Sequence, residues 1–156
     1  MSTIHYGGCF CGALRYSTKG EPKRTAVCHC RYCQLRTGAA FGISVYFGKS
    51  QVSFNDGARD TYSYETESGS TANLSRCANC GTTVSWHISI DVFRDLIGIA
   101  GGTFDPPTFW YELKREVFTR SKADFCQITA PESYEDSPMY KPIKRDGGSL
   151  KGGIEL

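Results

Sequence analysis

A mainly β domain of antiparallel strands with short helical segments is what this 156-residue sequence predicts, on three observations. Strand patterning recurs in short runs separated by Gly, Asn and Asp, helical signal is confined to two brief stretches, and seven of the eight cysteines stand in three tight groups. A chain of this length buries about 68–70% of its unfolded surface, so an apolar core alone can stabilise it and the cysteines are not needed as cross-links.

Taken in order, Ala13–Ser17, Phe41–Phe47, Val52–Phe54, Thr61–Glu65 and Val84–Ile88 mix β-branched and aromatic residues with polar alternation, the pattern of half-buried strands. Ile43, Val45 and Phe47 share one face opposite Ser44 and Tyr46, and Tyr62 and Tyr64 alternate with Thr61, Ser63 and Glu65. Arg31–Thr37, closed by Gly38, and Ile90–Leu96 are the two helical candidates. Gly101-Gly-Thr-Phe-Asp-Pro-Pro107 reads as a turn-rich loop, because its prolines cannot donate to a sheet ladder. From Pro138 the sequence alternates basic residues with Gly and Pro. One domain over residues 1–137 and a flexible tail over 138–156 are therefore expected.

Eighteen Lys and Arg against 16 Asp and Glu leave a net charge of +2 with no long basic block. Such a balance argues against dedicated nucleic-acid binding, which rests on clustered cations. No apolar run approaches the ~20 residues needed to span a bilayer, and the opening residues lack the apolar stretch of a secretory signal. The sequence thus reads as a cytoplasmic protein without membrane association. Eight cysteines in a reducing compartment point to metal or thiol chemistry in preference to disulfides.

The groups are Cys9-Phe-Cys11, Cys28-His-Cys30-Arg-Tyr-Cys33 and Cys77-Ala-Asn-Cys80, with Cys126 apart. In an extended segment two cysteines spaced i, i+2 point the same way at a Cα separation of ~6.6 Å, which strains a disulfide but suits two thiolates on one tetrahedral zinc. Cys77-Ala-Asn-Cys80-Gly81 has the form of a metal-binding turn; a redox C-x-x-C would open a helix, whereas the following Thr82-Thr-Val-Ser-Trp86 reads as a strand. Cys28, Cys30 and Cys33 already offer three ligands, so Cys9 and Cys11 belong with Cys77 and Cys80 in a closed, structural site. The three-cysteine group has either an open fourth position, the pattern of a zinc that does chemistry, or a fourth ligand from Cys126, His5, His87 or a carboxylate. His29 is expected to point away from the sulfurs and serve as a packed or supporting group, His87 to be packed or at the surface, and Cys126 to be a buried thiol.

These motifs carry a resemblance. Gly8-Cys9-Phe10-Cys11-Gly12-Ala13, Cys28 to Cys33 with Gly38 and Phe41, and Cys77-Ala-Asn-Cys80-Gly81-Thr82 with Trp86 resemble the glutathione-dependent formaldehyde-activating enzyme family. That family includes the centromere protein V type domain. The likeness continues through Gly102-Thr-Phe-Asp105 and Phe118-Thr-Arg-Ser121 to about Tyr134. Two departures are Phe10, where a His is common, and Asp124-Phe125-Cys126, where many relatives carry Pro-Trp.

The resemblance implies a β-tent fold and two Zn2+ per chain, a structural one on Cys9, Cys11, Cys77 and Cys80 and a catalytic one on Cys28, Cys30 and Cys33. It implies carbon–sulfur lyase activity resembling S-(hydroxymethyl)glutathione synthase, with glutathione or another small thiol and formaldehyde or a related aldehyde as partners. A thiol bound as a fourth thiolate would bring such a centre to a net charge of about −2 and call for nearby positive charge. Arg31 and Arg36 are the candidates by sequence proximity. The centromere-type relatives imply an alternative, a noncatalytic zinc module that binds a protein partner, and a thiol redox protein built on the second cluster is a third.

Overall fold

A computed structural model describes residues 1–139 and 141. The chain is mainly β, as the sequence predicts, with eleven strands in two sheets and one α-helix among the described residues. The smaller sheet orders β1 (Ile4–Gly8), β2 (Arg15–Lys19) and β5 (Val52–Phe54) as β1-β2-β5, all antiparallel. The larger sheet is built from β3 (Arg24–Cys28), β4 (Gly42–Gly48), β6 (Arg59–Glu65), β7 (Thr71–Cys77), β8 (Thr83–Ile88), β9 (Leu96–Ala100), β10 (Arg115–Val117) and β11 (Glu132–Ser133). Its order is β11-β10-β3-β4-β9-β8-β7-β6, antiparallel except where β10 lies parallel to β3 and to β11. The helix α1 (Arg31–Thr37) connects β3 to β4.

The five strands expected from patterning all form, Val52–Phe54 with the bounds expected and the other four with shifted ends. The first begins at Arg15 because Ala13 and Leu14 are taken up in a turn, where Leu14 N donates to Cys9 Sγ at 3.2 Å and Cys9 N to Leu14 O at 2.9 Å. Helix α1 ends where expected, on Gly38 in the left-handed region at φ 67°, whose N–H closes onto Gln34 O. The second helical candidate does not form. Asp91–Phe93 is a single 3-10 turn, and Leu96 already starts β9, because its apolar residues pair with β4 and β8 across the sheet.

Strand β4 is central and organises the interior. Val45 and Phe47 are fully buried between the two sheets, in a core with Leu14, Tyr16, Ile99 and Phe104. Tyr46, one residue over, faces the opposite side and packs with Leu74, Trp86 and Phe93. Alternating side chains thus serve two cores, which is why this strand has no exposed face. Strand β6, at the sheet edge, is mostly exposed, and of its two tyrosines Tyr62 remains at the surface while Tyr64 packs inward on Tyr32 at a ring separation of 5.0 Å.

No helix of the described residues is long and apolar enough to cross a membrane. The tail expected over 138–156 lies outside the described residues apart from Pro138, Met139 and Lys141.

Candidate metal centres and cavity

Two groups of cysteine sulfurs converge, in the partition reached from ligand counting: Cys9, Cys11, Cys77 and Cys80 in one, Cys28, Cys30 and Cys33 in the other, each with all its sulfurs within 4.8 Å of one another. All eight cysteines are free thiols.

The four-cysteine group is made of two matching turns. Between β1 and β2, Gly12 N closes onto Cys9 O at 3.1 Å; between β7 and β8, Gly81 N closes onto Cys77 O at 2.9 Å, with Gly81 at φ 75°. Thr82 ties the turns together. Its hydroxyl accepts from Phe10 N at 3.1 Å and lies 3.2 Å from Cys80 Sγ, and hydrogen bonding to that hydroxyl is the leading cause that draws the Cys80 thiol down to about 5. Sulfur separations of 3.5 Å for Cys9–Cys11 and 3.7 Å for Cys11–Cys77 match the ~3.8 Å edge of a tetrahedron of zinc–sulfur bonds. The donor set, four soft thiols in a closed group, therefore fits a zinc ion. Phe10 points outward and is almost fully exposed. Because Cys9 and Cys77 also belong to the core between the sheets, an ion here would fasten the smaller sheet to the larger one.

The three-cysteine group sits where β3 runs into α1. Cys28 closes the strand, Cys30 is the helix N-cap and receives Cys33 N at 3.4 Å, and Cys33 lies in the first turn. Cys28 and Cys30 are buried, and the group forms part of the wall of a cavity of about 120 Å³ that Arg36, Tyr46 and Trp86 also line. Crowding divides the thiols. Cys28 is pushed well up, first by its hydrogen bond with Cys30, while Cys33 is held well below the ordinary thiol range by hydrogen bonds from Cys28 and Cys30 and, further, by the Arg36 guanidinium. Three thiols that resist ionising together are a donor set that a dication relieves, so this group too fits zinc.

No fourth His, Cys, Asp or Glu of the described residues joins the three sulfurs. His5 is stacked on Trp110 at 3.5 Å, His87 bonds Leu96 O at 3.1 Å, and Cys126 is half-buried in a loop where a buried thiol was expected, since the neighbouring Phe125 turns out to solvent.

Of the two arginines chosen by sequence proximity, the fold brings one. Arg36 Nη2 stands 3.9 Å from Cys33 Sγ with its guanidinium stacked 4.1 Å over the Trp86 ring. Arg31 instead lines a shallow depression with Leu35, Ala39 and Phe125 on the far side of α1. Trp86 is fixed in turn by donating to the Tyr46 hydroxyl at 3.0 Å, and it fits only because its cross-strand partner is Gly98, where a Cβ would collide with the indole. Tyr46, Phe118 and Arg24 were missed by sequence reasoning. Phe118 packs on Cys28 and Cys30 from a left-handed backbone at φ 58°, a conformation that costs a bulky residue about 1–3 kcal/mol and that no sequence signal marks.

The model of a family described as glutathione-dependent formaldehyde-activating enzyme matches residues 4–121, which include both cysteine groups and the helix between them. The chain belongs to that family. No curated protein matches it. A crystal structure of a Rhodobacter sphaeroides protein is similar with a TM-score of 0.51 and 20% identity, covering 69% of this chain and 96% of that one, a likeness that bears on the fold alone. Family membership supports a glutathione-related, formaldehyde-activating function, and the two cysteine groups are compatible with zinc.

Behind the three-cysteine group lies a buried charge cluster. His29, fully buried between two of the cysteines and turned away from them, donates from Nε2 to Glu116 Oε1 at 2.8 Å, and Lys122 Nζ reaches the same oxygen at 2.7 Å. Burial would raise the Glu116 carboxyl, but Lys122 and His29 together hold it below the ordinary carboxylate range. A carboxyl whose folded pKa lies below its unfolded value of ~4.3 contributes stability at higher pH and loses it as pH falls through the folded pKa. Glu116→Gln is therefore expected to cost about 3 kcal/mol at neutral pH and to flatten the acid limb of stability, measured by urea unfolding at pH 7 and at pH 4.

Proposed function

We propose that the chain is a zinc-dependent carbon–sulfur lyase that joins formaldehyde, or a related aldehyde, to glutathione at Cys28, Cys30 and Cys33. The observation that carries this reading is the convergence of three sulfurs, without a fourth protein ligand among the described residues, in the wall of a cavity beside Arg36. Zinc held by these three thiolates would supply an acid that lowers the pKa of an incoming thiol. The chain's own residues do the rest. Arg36 offsets the negative charge gathered at Cys33, and its stacking on Trp86 keeps it there. Cys28 and Cys30 against Phe118 and Val117 make a dry wall, in which the charges interact more strongly than in water.

Tyr46 is kept protonated by burial while its oxygen accepts from Trp86, leaving its O–H free to donate a hydrogen bond to the aldehyde oxygen without giving up the proton. In the forward reaction a bond forms between the thiol sulfur and the carbonyl carbon, the carbonyl π bond breaks, and the proton lost by sulfur ends on oxygen. At about 120 Å³ the cavity admits a thiol arm and a one-carbon aldehyde but not a whole tripeptide, since pockets that enclose larger ligands run to ~300–1,000 Å³.

The deciding measurement is zinc content with and without glutathione, coupled to formaldehyde consumption by the wild type and by Cys30→Ser. The reading expects two zinc per chain and a rate above the uncatalysed addition that Cys30→Ser loses. Zinc indifferent to glutathione, with equal rates for both proteins and for buffer, would reject it and favour a module that binds a protein partner.

A further inference from the structure

We propose that Arg24 anchors a carboxylate of the thiol substrate, so that this site selects thiols carrying an acid group at peptide length from the sulfur. The inference rests on the reading that a thiol docks at Cys28, Cys30 and Cys33.

Arg24 opens β3 and Cys28 closes it, and with Ala26 between them they line one wall of the same cavity. The other charges around that cavity are matched: Arg115 Nε bonds Glu132 at 3.1 Å, Glu67 pairs with Arg120, and Arg36 lies against Cys33. Arg24 has no carboxylate partner among the described residues. Its Nη1 instead meets the thioether of Met139 at 2.7 Å, and its guanidinium lies 5.7 Å from the centre of the Phe93 ring. Partial burial, then the nearby Arg115, weaken its hold on its proton, as expected of a cation without a counter-ion. A neutral thioether is a weak acceptor, whereas a carboxylate can take two parallel bonds from a guanidinium. Met139 thus covers a donor that an anionic ligand would claim, and it lies beyond the residues that the family matches.

The span sets the length of the ligand. Four residues of strand at ~3.3 Å each separate Arg24 from Cys28 by about 13 Å. The arginine side chain covers part of that distance, leaving a gap that one or two residues at ~3.5 Å each would bridge. Free cysteine, with its acid on the same residue as its sulfur, is too short. Glutathione, whose two carboxylates lie on the residues flanking its cysteine, has the required reach, and only its cysteine and one flanking residue need lie along this wall.

The test is calorimetric titration of the zinc-loaded full chain with glutathione, glutathione diethyl ester and 2-mercaptoethanol, for the wild type, Arg24→Gln and Arg24→Lys. Wild type should bind glutathione about 10–100-fold more tightly than the ester. Arg24→Gln should lose most of that preference, Arg24→Lys should keep an intermediate share, and all three should bind 2-mercaptoethanol alike, which also shows that the variants fold. An acid-over-ester preference unchanged in Arg24→Gln, or absent from a wild type that does bind 2-mercaptoethanol, overturns the anion subsite alone. A wild type that binds none of the thiols overturns the docking reading and the subsite with it.

Discussion

Cys77→Ser is expected to yield a chain that melts about 10–15 °C lower than wild type and retains one zinc fewer. The effect is large because the four-sulfur group joins turns of the two sheets, which otherwise meet through side-chain packing and a few bonds such as Phe10 N to Thr82 Oγ1 and the Arg15–Asp105 ion pair. Cys9 and Cys11 come from the turn that links β1 to β2 in the smaller sheet, and Cys77 and Cys80 from the turn between β7 and β8 in the larger one. A structural zinc contributes on the order of 10 kcal/mol or more to folding in small metal domains, and a domain of this size loses roughly 2–4 °C of Tm per kcal/mol. Loss of one buried thiolate removes only part of the metal's contribution, because serine and water can still complete a weaker shell. The measurement is thermal unfolding paired with metal analysis of the purified protein. Cys126→Ser is the control, since that half-buried loop thiol belongs to neither sulfur group, and it should melt with the wild type. A Cys77→Ser protein with wild-type Tm and metal content would show that the sheets need no ion between them.

Local chemistry was legible in the sequence wherever residues adjacent in the chain do the work. C-x-C and C-x-x-C spacings announced which sulfurs converge within each turn, because those turns close within a few residues, and ligand counting then joined Cys9 and Cys11 to Cys77 and Cys80. Helix α1 was equally plain, with its boundary fixed by Gly38. Strands such as β3 and β7 were not visible: Arg24-Thr-Ala-Val-Cys28 and Thr71-Ala-Asn-Leu-Ser-Arg-Cys77 carry small and polar residues whose β structure is imposed by neighbours on both sides. The two-residue β11 is held by its parallel pairing with β10, a long-range contact with no local signature.

The same division holds at the cavity. Proximity in sequence nominated Arg31 and Arg36 equally. A helix rotates about 100° per residue, so positions five apart face different ways, and only Arg36 turns toward Cys33. Tyr46, Trp86 and Phe118 meet the cysteines from β4, β8 and the segment after β10, and their convergence depends on strand order, which composition does not encode.

Cys33→Ser is expected to abolish the catalysed joining of formaldehyde and glutathione while lowering Tm by no more than a few degrees. Two features separate this variant from Cys77→Ser. Cys33 is only partly buried, and it stands on a seven-residue helix with no buried residues, at the margin of the small cluster of Cys28, Cys30, Val117 and Phe118 and apart from the two cores that β4 serves. It is also the sulfur that Arg36 faces, and the most acidic of its group, so it carries the charge on which the proposed zinc binding would depend. Oxygen in place of that thiolate removes a soft anionic ligand and leaves Arg36 without its counter-charge. A decrease of at least 100-fold in the rate above background is the expected size, since the catalysed path needs all three ligands to hold the ion in place. Metal analysis should show about one zinc per chain in Cys33→Ser, the complement of the site lost in Cys77→Ser. Turnover should be followed across a range of formaldehyde concentrations with the uncatalysed addition subtracted, because thiols and formaldehyde combine without help. Arg36→Gln supplies a graded test of the same idea: it keeps all three sulfurs, so it should retain zinc yet bind glutathione more weakly. Were Cys33→Ser to turn over at the wild-type rate, the chemistry would have to lie elsewhere, and the three converging sulfurs would be a second structural centre.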